Sequence, residues 1–355
     1  MCVQQLRLKT LILGHQREWL DNFMETFVGS KREAAFTDLD PKRIAFCSKV
    51  EQFEQTDIAL ATFQQFLTPR GKLTMQAIRG MFSLVIIDEA HFGAAPQSVK
   101  VLAQLKARYR IGLTGTPDRK DGRYLLVNSV LGPVVHRTAA VAMRPRVVPL
   151  ETDLSFDIRG SGPGAFTYYR KQMERSKTRR EIIVAKAINL AKQGHFVIIP
   201  LSFTASIDAY VKMINEEAEE NWAKAFDGRM KKEMRRKRIV DARRYRFRIL
   251  VANIALISTG INIPRASCII DGVTPTSNLP KARQRFSRIL TPMTGKPEPL
   301  IVYVMDGGAA RGMRRNEFWN CLVKEFSPII KAEHYTQFKD YFNTRPGSQF
   351  SKKDI

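Results

Sequence analysis

Four consecutive apolar residues, Leu84–Ile87, run directly into Asp88, Glu89, Ala90 and His91. A short apolar run without alternation is the pattern of a strand buried on both faces of a parallel sheet. The chain repeats that pattern at Lys9–Gly14, Ile58–Ala61, Phe196–Leu201 and Arg248–Ala252, with shorter candidates at Arg43–Cys47 and Ile111–Leu113. Amphipathic or long helical stretches, one ending at Phe27 and one over Lys177–Gln193, lie between them. The class is therefore α/β. Ligands of open α/β sheets meet the carboxyl ends of the strands, which is where Asp88 and Glu89 fall. A lone acid pair there would be explained by a polar turn. Two adjacent carboxylates after a buried strand also suit nucleotide hydrolysis, one holding magnesium through water and the other orienting the attacking water.

At 355 residues two domains are the natural expectation. The 58 Lys and Arg against 34 Asp and Glu give a net charge of +24, the footprint of a polyanionic partner, nucleic acid first. A membrane surface is the competing partner, but no segment offers a convincing apolar face to insert, no run approaches the ~20 residues that span a bilayer, and no signal-peptide pattern is present. Cys2, Cys47, Cys268 and Cys321 lack metal-ligand spacing, so the expectation is a reducing, cytoplasmic compartment.

The D-E-A-H set resembles the second motif of DEAH-box superfamily 2 helicases, and other stretches resemble further motifs in the order that family shows. Lys9–Gly14 with His15 and Arg17 resembles motif Ia, and Ile58–Ala61 with Thr62, Phe63 and Gln64 takes the place of another strand-binding motif. Thr114-Gly115-Thr116-Pro117, otherwise an ordinary turn, resembles motif III. Ser258-Thr259-Gly260-Ile261-Asn262 resembles motif V, with Asn262 where an acid is common. Gln284-Arg285-Phe286-Ser287-Arg288 resembles motif VI, with Ser287 replacing a glycine and Thr291 a second arginine. The extended form of motif III looks most like the DNA repair and recombination branch, including phage branch-migration helicases.

The resemblance implies two RecA-like doubly wound parallel-sheet domains with ATP and Mg2+ between them and a nucleic-acid strand across their tops. Asp88 would hold magnesium through water, Glu89 would act as base, and Arg288 would stabilise γ-phosphate charge. His91 and Gln284 would couple the domains, and Thr114 and Thr116 would relay the nucleotide state. Gly260 and Asn262 would meet nucleotide. His15, Arg17, Thr62, Gln64 and Thr259 would meet nucleic acid. Gly228–Arg248 carries eleven basic residues against Glu233 and Asp241. It reads either as a solvated helix face or as a phosphate-contacting surface containing Arg235, Arg236 and Arg238.

The boundaries that follow are 1–142 for the first domain, 143–308 for a linker and the second, and 309–355 for a helical extension and tail. The linker is read from Arg137–Tyr169, with Pro145, Pro149 and a Gly-Ser-Gly-Pro-Gly cluster. The phosphate loop G-x-x-x-x-G-K-[ST] is absent from these residues. The first domain is thus expected to be incomplete at its amino terminus, lacking one strand near the middle of its sheet, and DNA-directed activity to need a partner polypeptide carrying that strand and loop. The alternative is a helicase-derived nucleic-acid-binding subunit without ATPase activity of its own.

Overall fold

A computed structural model of the chain describes residues 2–29, 38–90, 93, 95–115, 124–136, 142–160, 163–258, 261–273, 275, 279–308 and 311–343. It divides into two units, Met1–Thr138 and Ala139–Ile355. The first holds β1 (Thr10–Gly14), β2 (Ile44–Phe46), β3 (Ile58–Thr62), β4 (Leu84–Ile87) and β5 (Tyr109–Gly112). They form one sheet in the order β2-β3-β1-β4-β5, every pair parallel. Alternate residues serve two cores: Leu11, Leu13, Val85 and Ile87 go to one face, Ile12, Leu60, Leu84 and Ile86 to the other. Burial on both faces is why these strands read as unbroken apolar runs.

The end of this sheet at β5 is different. Tyr109 N donates to Ser83 O and Leu113 N to Ile87 O. Strand alternation therefore turns the N–H and C=O groups of Arg110 and Gly112 away from β4, toward the open edge. The helix Tyr124–Leu131 lies over this strand. A Cβ on Gly112 would sit 2.7 Å from Leu131 Cδ1 and 3.0 Å from Ala90 Cβ, so a larger residue would require the Leu131 side chain to move and would crowd Ala90. Leu125 on that helix is 62% exposed. Among the described residues no strand pairs with the outer edge of β5, and an open strand edge is a template for strand addition.

The second unit holds β6 (Arg146–Phe156), β7 (Phe196–Leu201), β8 (Ala223–Phe226), β9 (Ile249–Asn253), β10 (Ala266–Asp271) and β11 (Leu300–Gly308). Their order is β6-β11-β10-β7-β9-β8, again all parallel. The stretch expected to be a linker thus contains β6, paired along β11. Pro149 is tolerated because β6 is an edge strand, where a missing N–H leaves no ladder bond unmade. Nor do the residues after 308 stand apart as an extension. Phe318, Cys321, Leu322, Phe338 and Phe342 are part of the main core.

Buried charge fastens that segment. Asp306, at the end of β11, receives both Nε and Nη2 of Arg179 at 2.9 Å and the Thr152 hydroxyl at 2.8 Å. Arg314 Nη2 lies 3.6 Å away, and Tyr341 donates to the Asp306 carbonyl. A second cluster joins Arg285 to Asp271 at 3.0 Å and Glu317 at 2.8 Å. Burial alone would raise the Asp306 carboxyl, but Arg179 and Arg314 together hold it below its ordinary 3.8.

Removing one partner of such a pair leaves the other buried and uncompensated. Arg179→Ala should therefore cost about 3–5 kcal/mol in urea unfolding of the second unit. A carboxyl with a depressed folded pKa contributes stability above its unfolded pKa, and that contribution is lost as pH falls through the lower folded value. The wild-type protein should show this acid step and the variant should lack it. A loss under about 1 kcal/mol with the acid step unchanged would contradict the assignment.

Candidate nucleotide and nucleic-acid interface

Parallel register decides which residues of the first unit meet. Gly14 pairs with Thr62, and Ile87 pairs with Leu13 on one side and Gly112 on the other. The residues that follow these strand ends emerge along one edge of the sheet. Asp88 N donates to Leu13 O at 3.0 Å and Ala90 N to Leu113 O at 2.8 Å. Between those two bonds Glu89 adopts φ of 47°, a left-handed conformation costing a non-glycine residue on the order of 1–3 kcal/mol. The flanking bonds hold the turn in this conformation. Asp88 and Glu89 are half-buried, and Thr114 follows Leu113 beside them. His91 and Thr116 lie outside the described residues.

On the other side of β1, His15 Nδ1 lies 3.1 Å from Gln64 Nε2, so two residues expected to meet nucleic acid touch each other. Burial lowers the His15 pKa from 6.5, which keeps the ring neutral at pH 7 and able to accept from the amide. The Arg17 guanidinium stacks 3.7 Å from the Phe46 ring centre, at the end of β2. Gln65 accepts from Thr62 N and donates to Cys47 O at 2.8 Å, tying the turn after β3 to β2. Gln65 and Phe46 were not singled out from sequence. No periodicity marks them, since each acts across a strand end.

In the second unit Gln284 and Arg285 lie in the helix Leu279–Ser287, and Arg288 follows it. Arg288 Nε donates to Ile257 O at 2.8 Å, joining this segment to the short helix Ile254–Ser258. The Asn262 carbonyl accepts from Arg243 Nε at 3.0 Å; Thr259 and Gly260 are outside the described residues. Arg243 closes the basic helix Lys232–Arg243, so three candidate segments converge on one region. Within that helix Arg236 is exposed and Arg235 half-buried. Arg238 instead turns inward: its Nη1 donates to Ala225 O at 2.6 Å, and burial lowers its pKa. Lys296, another residue the sequence did not flag, donates from Nζ to Ile289 O and Thr291 O, both at 2.8 Å. Burial pushes its ammonium down to about 8.

Among the described residues no three His, Cys, Asp or Glu side chains cluster as metal ligands. The adjacent Asp88 and Glu89 fit magnesium, which takes one or two carboxylates together with phosphate oxygens. The described residues supply no glycine-rich cradle for the phosphates. No described helix is long and apolar enough to cross a membrane, and Cys47, Cys268 and Cys321 are free and buried.

Residues 2–119 match the family described as "Type III restriction enzyme, res subunit", and residues 178–290 match the "Helicase conserved C-terminal domain". The chain belongs to helicase superfamily 2. It is 26% identical over 245 residues to "Probable helicase D10" of Escherichia phage T5, covering 66% of this chain and 51% of that relative. It therefore spans about half the length of that curated protein. Over 57 residues, 16% of this chain and 13% of the other, it is 44% identical to "DNA 3'-5' translocase XPB2" of Sulfurisphaera tokodaii. The Pyrococcus furiosus Hef helicase domain shares the fold, with a TM-score of 0.53 and 15% identity over 90% of this chain and 91% of that one. Both sheets are thus of the RecA-like kind. Superfamily membership implies ATP, usually a divalent metal, and nucleic-acid binding.

The arginines of the basic helix should separate by experiment. Arg238→Ala should lower the melting temperature, because it strips the Ala225 carbonyl of its donor. Arg236→Ala should lower melting less than Arg238→Ala and reduce the salt dependence of nucleic-acid binding by about one phosphate contact. Equal behaviour of the two variants would contradict the different placements. For His15, a folded pKa below the unfolded one means that protonation as pH falls through 6.5 works against the native contact. Its ring resonances should titrate below that value by NMR, and Gln64→Ala should shift the titration.

Proposed function

We propose that this chain is the DEAH-type motor core of an ATP-driven DNA translocase, acting on duplexes, forks or branched joints, with its phosphate loop supplied by a separate amino-terminal polypeptide. The observation that carries the reading is the Asp88–Glu89 turn, fixed in a costly conformation at the carboxyl end of a central strand. In this reading Glu89 accepts the proton of the attacking water and Asp88 holds magnesium through water. Magnesium, when bound, supplies positive charge against the phosphate oxygens. Arg288 offsets charge developing on the transferred phosphoryl group, Gly260 and Asn262 meet nucleotide, and Gln284, His91, Thr114 and Thr116 couple its state to the strand-binding residues. His15, Arg17, Thr62, Gln64 and Thr259 hold the nucleic-acid backbone, with Arg235 and Arg236 adding phosphate contacts. Arg238 is withdrawn from that set because its guanidinium is engaged inside the fold.

DNA is favoured over RNA by the form of motif III and by the local similarity to a protein described as a DNA translocase. The partner polypeptide is supported by the outer edge of β5, which no described strand covers and which could accept a further strand. Asn262 and Thr291, each standing where the family carries another residue, favour a second reading, a nucleic-acid-binding subunit without ATPase activity of its own.

The test is to purify the chain alone and with a fragment bearing a strand and the phosphate loop, then measure DNA-stimulated ATP hydrolysis. Hydrolysis should appear only in the combined sample. Glu89→Gln should lower turnover there by about 10²–10⁴-fold while sparing ATP binding, and Asp88→Asn should weaken the magnesium dependence. Hydrolysis by the isolated chain would refute the split arrangement. Stable chain, bound DNA and no hydrolysis in either sample would favour the binding subunit.

A further inference from the structure

The segment after β11 lies outside both matched families and carries a pocket of its own. It opens on the helix Arg311–Glu317 and the π-helical turn Phe318–Val323, has a volume of about 370 Å³, and is lined by Gly312, Arg315, Asn316, Trp319 and Asn320. The Trp319 ring is held in place by edge contacts with Phe318 at 4.9 Å, Tyr335 at 5.7 Å and Phe342 at 6.3 Å between centres. Its orientation is therefore set before any ligand arrives. Asn320 Nδ2 donates to Asn316 Oδ1 at 2.6 Å. Whichever way the two amides are assigned, that bond leaves one further acceptor and one further donor on the pair. No described hydrogen bond or ion pair engages the Arg315 side chain. Rare π-helical turns within helices frequently mark functional sites.

We infer that this pocket is a second nucleic-acid contact, taking one unstacked base of a single strand. A base against Trp319 gains stacking, the Asn316–Asn320 pair offers its donor and acceptor to the base edge, and Arg315 offers its charge to the adjoining phosphate. A fixed aromatic face, a paired amide edge and a guanidinium together match a nucleotide better than a metal or an apolar peptide. The inference rests on the reading that the chain binds nucleic acid, and it adds a site beyond the helicase motifs.

Gly312 makes the pocket testable without disturbing the fold. A Cβ there meets nothing within 4 Å, so Gly312→Leu places a plug in the opening while the packing beneath stays intact. The full chain is titrated with fluorescent oligothymidylate and with a matched strand carrying abasic positions. Gly312→Leu should bind the ordinary strand about tenfold more weakly, as expected for one lost base stack, yet match wild type on the abasic strand. Arg315→Ala should weaken both strands and lower the salt dependence, with melting unchanged for both variants. Equal affinity of Gly312→Leu and wild type for the ordinary strand would overturn the inference, as would an equal loss on both strands. No binding of either strand by wild type would overturn the proposed function as well, so the two failures are distinguishable.

Discussion

Parallel register is the constraint on which this structure depends. Because every described strand pair in both sheets is parallel, all strands of a sheet end on the same side. Residues far apart in sequence emerge there together. In the first unit this places the turn after β4 beside Leu13 and Leu113, and the His15–Gln64 contact beyond the Gly14–Thr62 pair. A one-residue slip in any pairing would exchange the two cores and carry the acidic turn away from its hydrogen-bond partners. Core packing and site geometry therefore rest on the same set of pairings.

Leu84–Ile87 and Phe196–Leu201 could be read from sequence because burial on two sides erases alternation, whereas the equally buried Ala266–Asp271 and Leu300–Gly308 were not read as strands. β6 escaped because it is an edge strand containing Pro149, and those residues look like a linker until β11 is seen beside them. β8 is only four residues long. The candidate site was legible where motif residues follow strands: Asp88, Glu89 and Thr114 in one unit, Arg288 and Asn262 in the other. Arg238 shows where legibility ends. In a run of eleven basic residues nothing local separates the one that caps Ala225 from those facing solvent.

The buried arginines make the same point. Arg179, Arg285 and Arg314 carry long charged side chains, yet each is almost wholly inaccessible. Their partners Asp306, Asp271 and Glu317 lie from 8 to 127 residues away. These pairs fix the last segment of the chain onto the second sheet. That attachment gives Trp319 and its neighbours a rigid platform, which a loose tail would not.

The most direct test of the account concerns β5, whose outer edge no described strand covers. Amide hydrogen exchange would be followed in the chain alone and after adding a polypeptide with a strand and a G-x-x-x-x-G-K-[ST] loop. Strand addition predicts slowed exchange at Arg110 and Gly112, whose N–H groups turn away from β4, and no change at β2 on the opposite edge. Unchanged exchange at Arg110 and Gly112 while ATP hydrolysis appears would contradict the account.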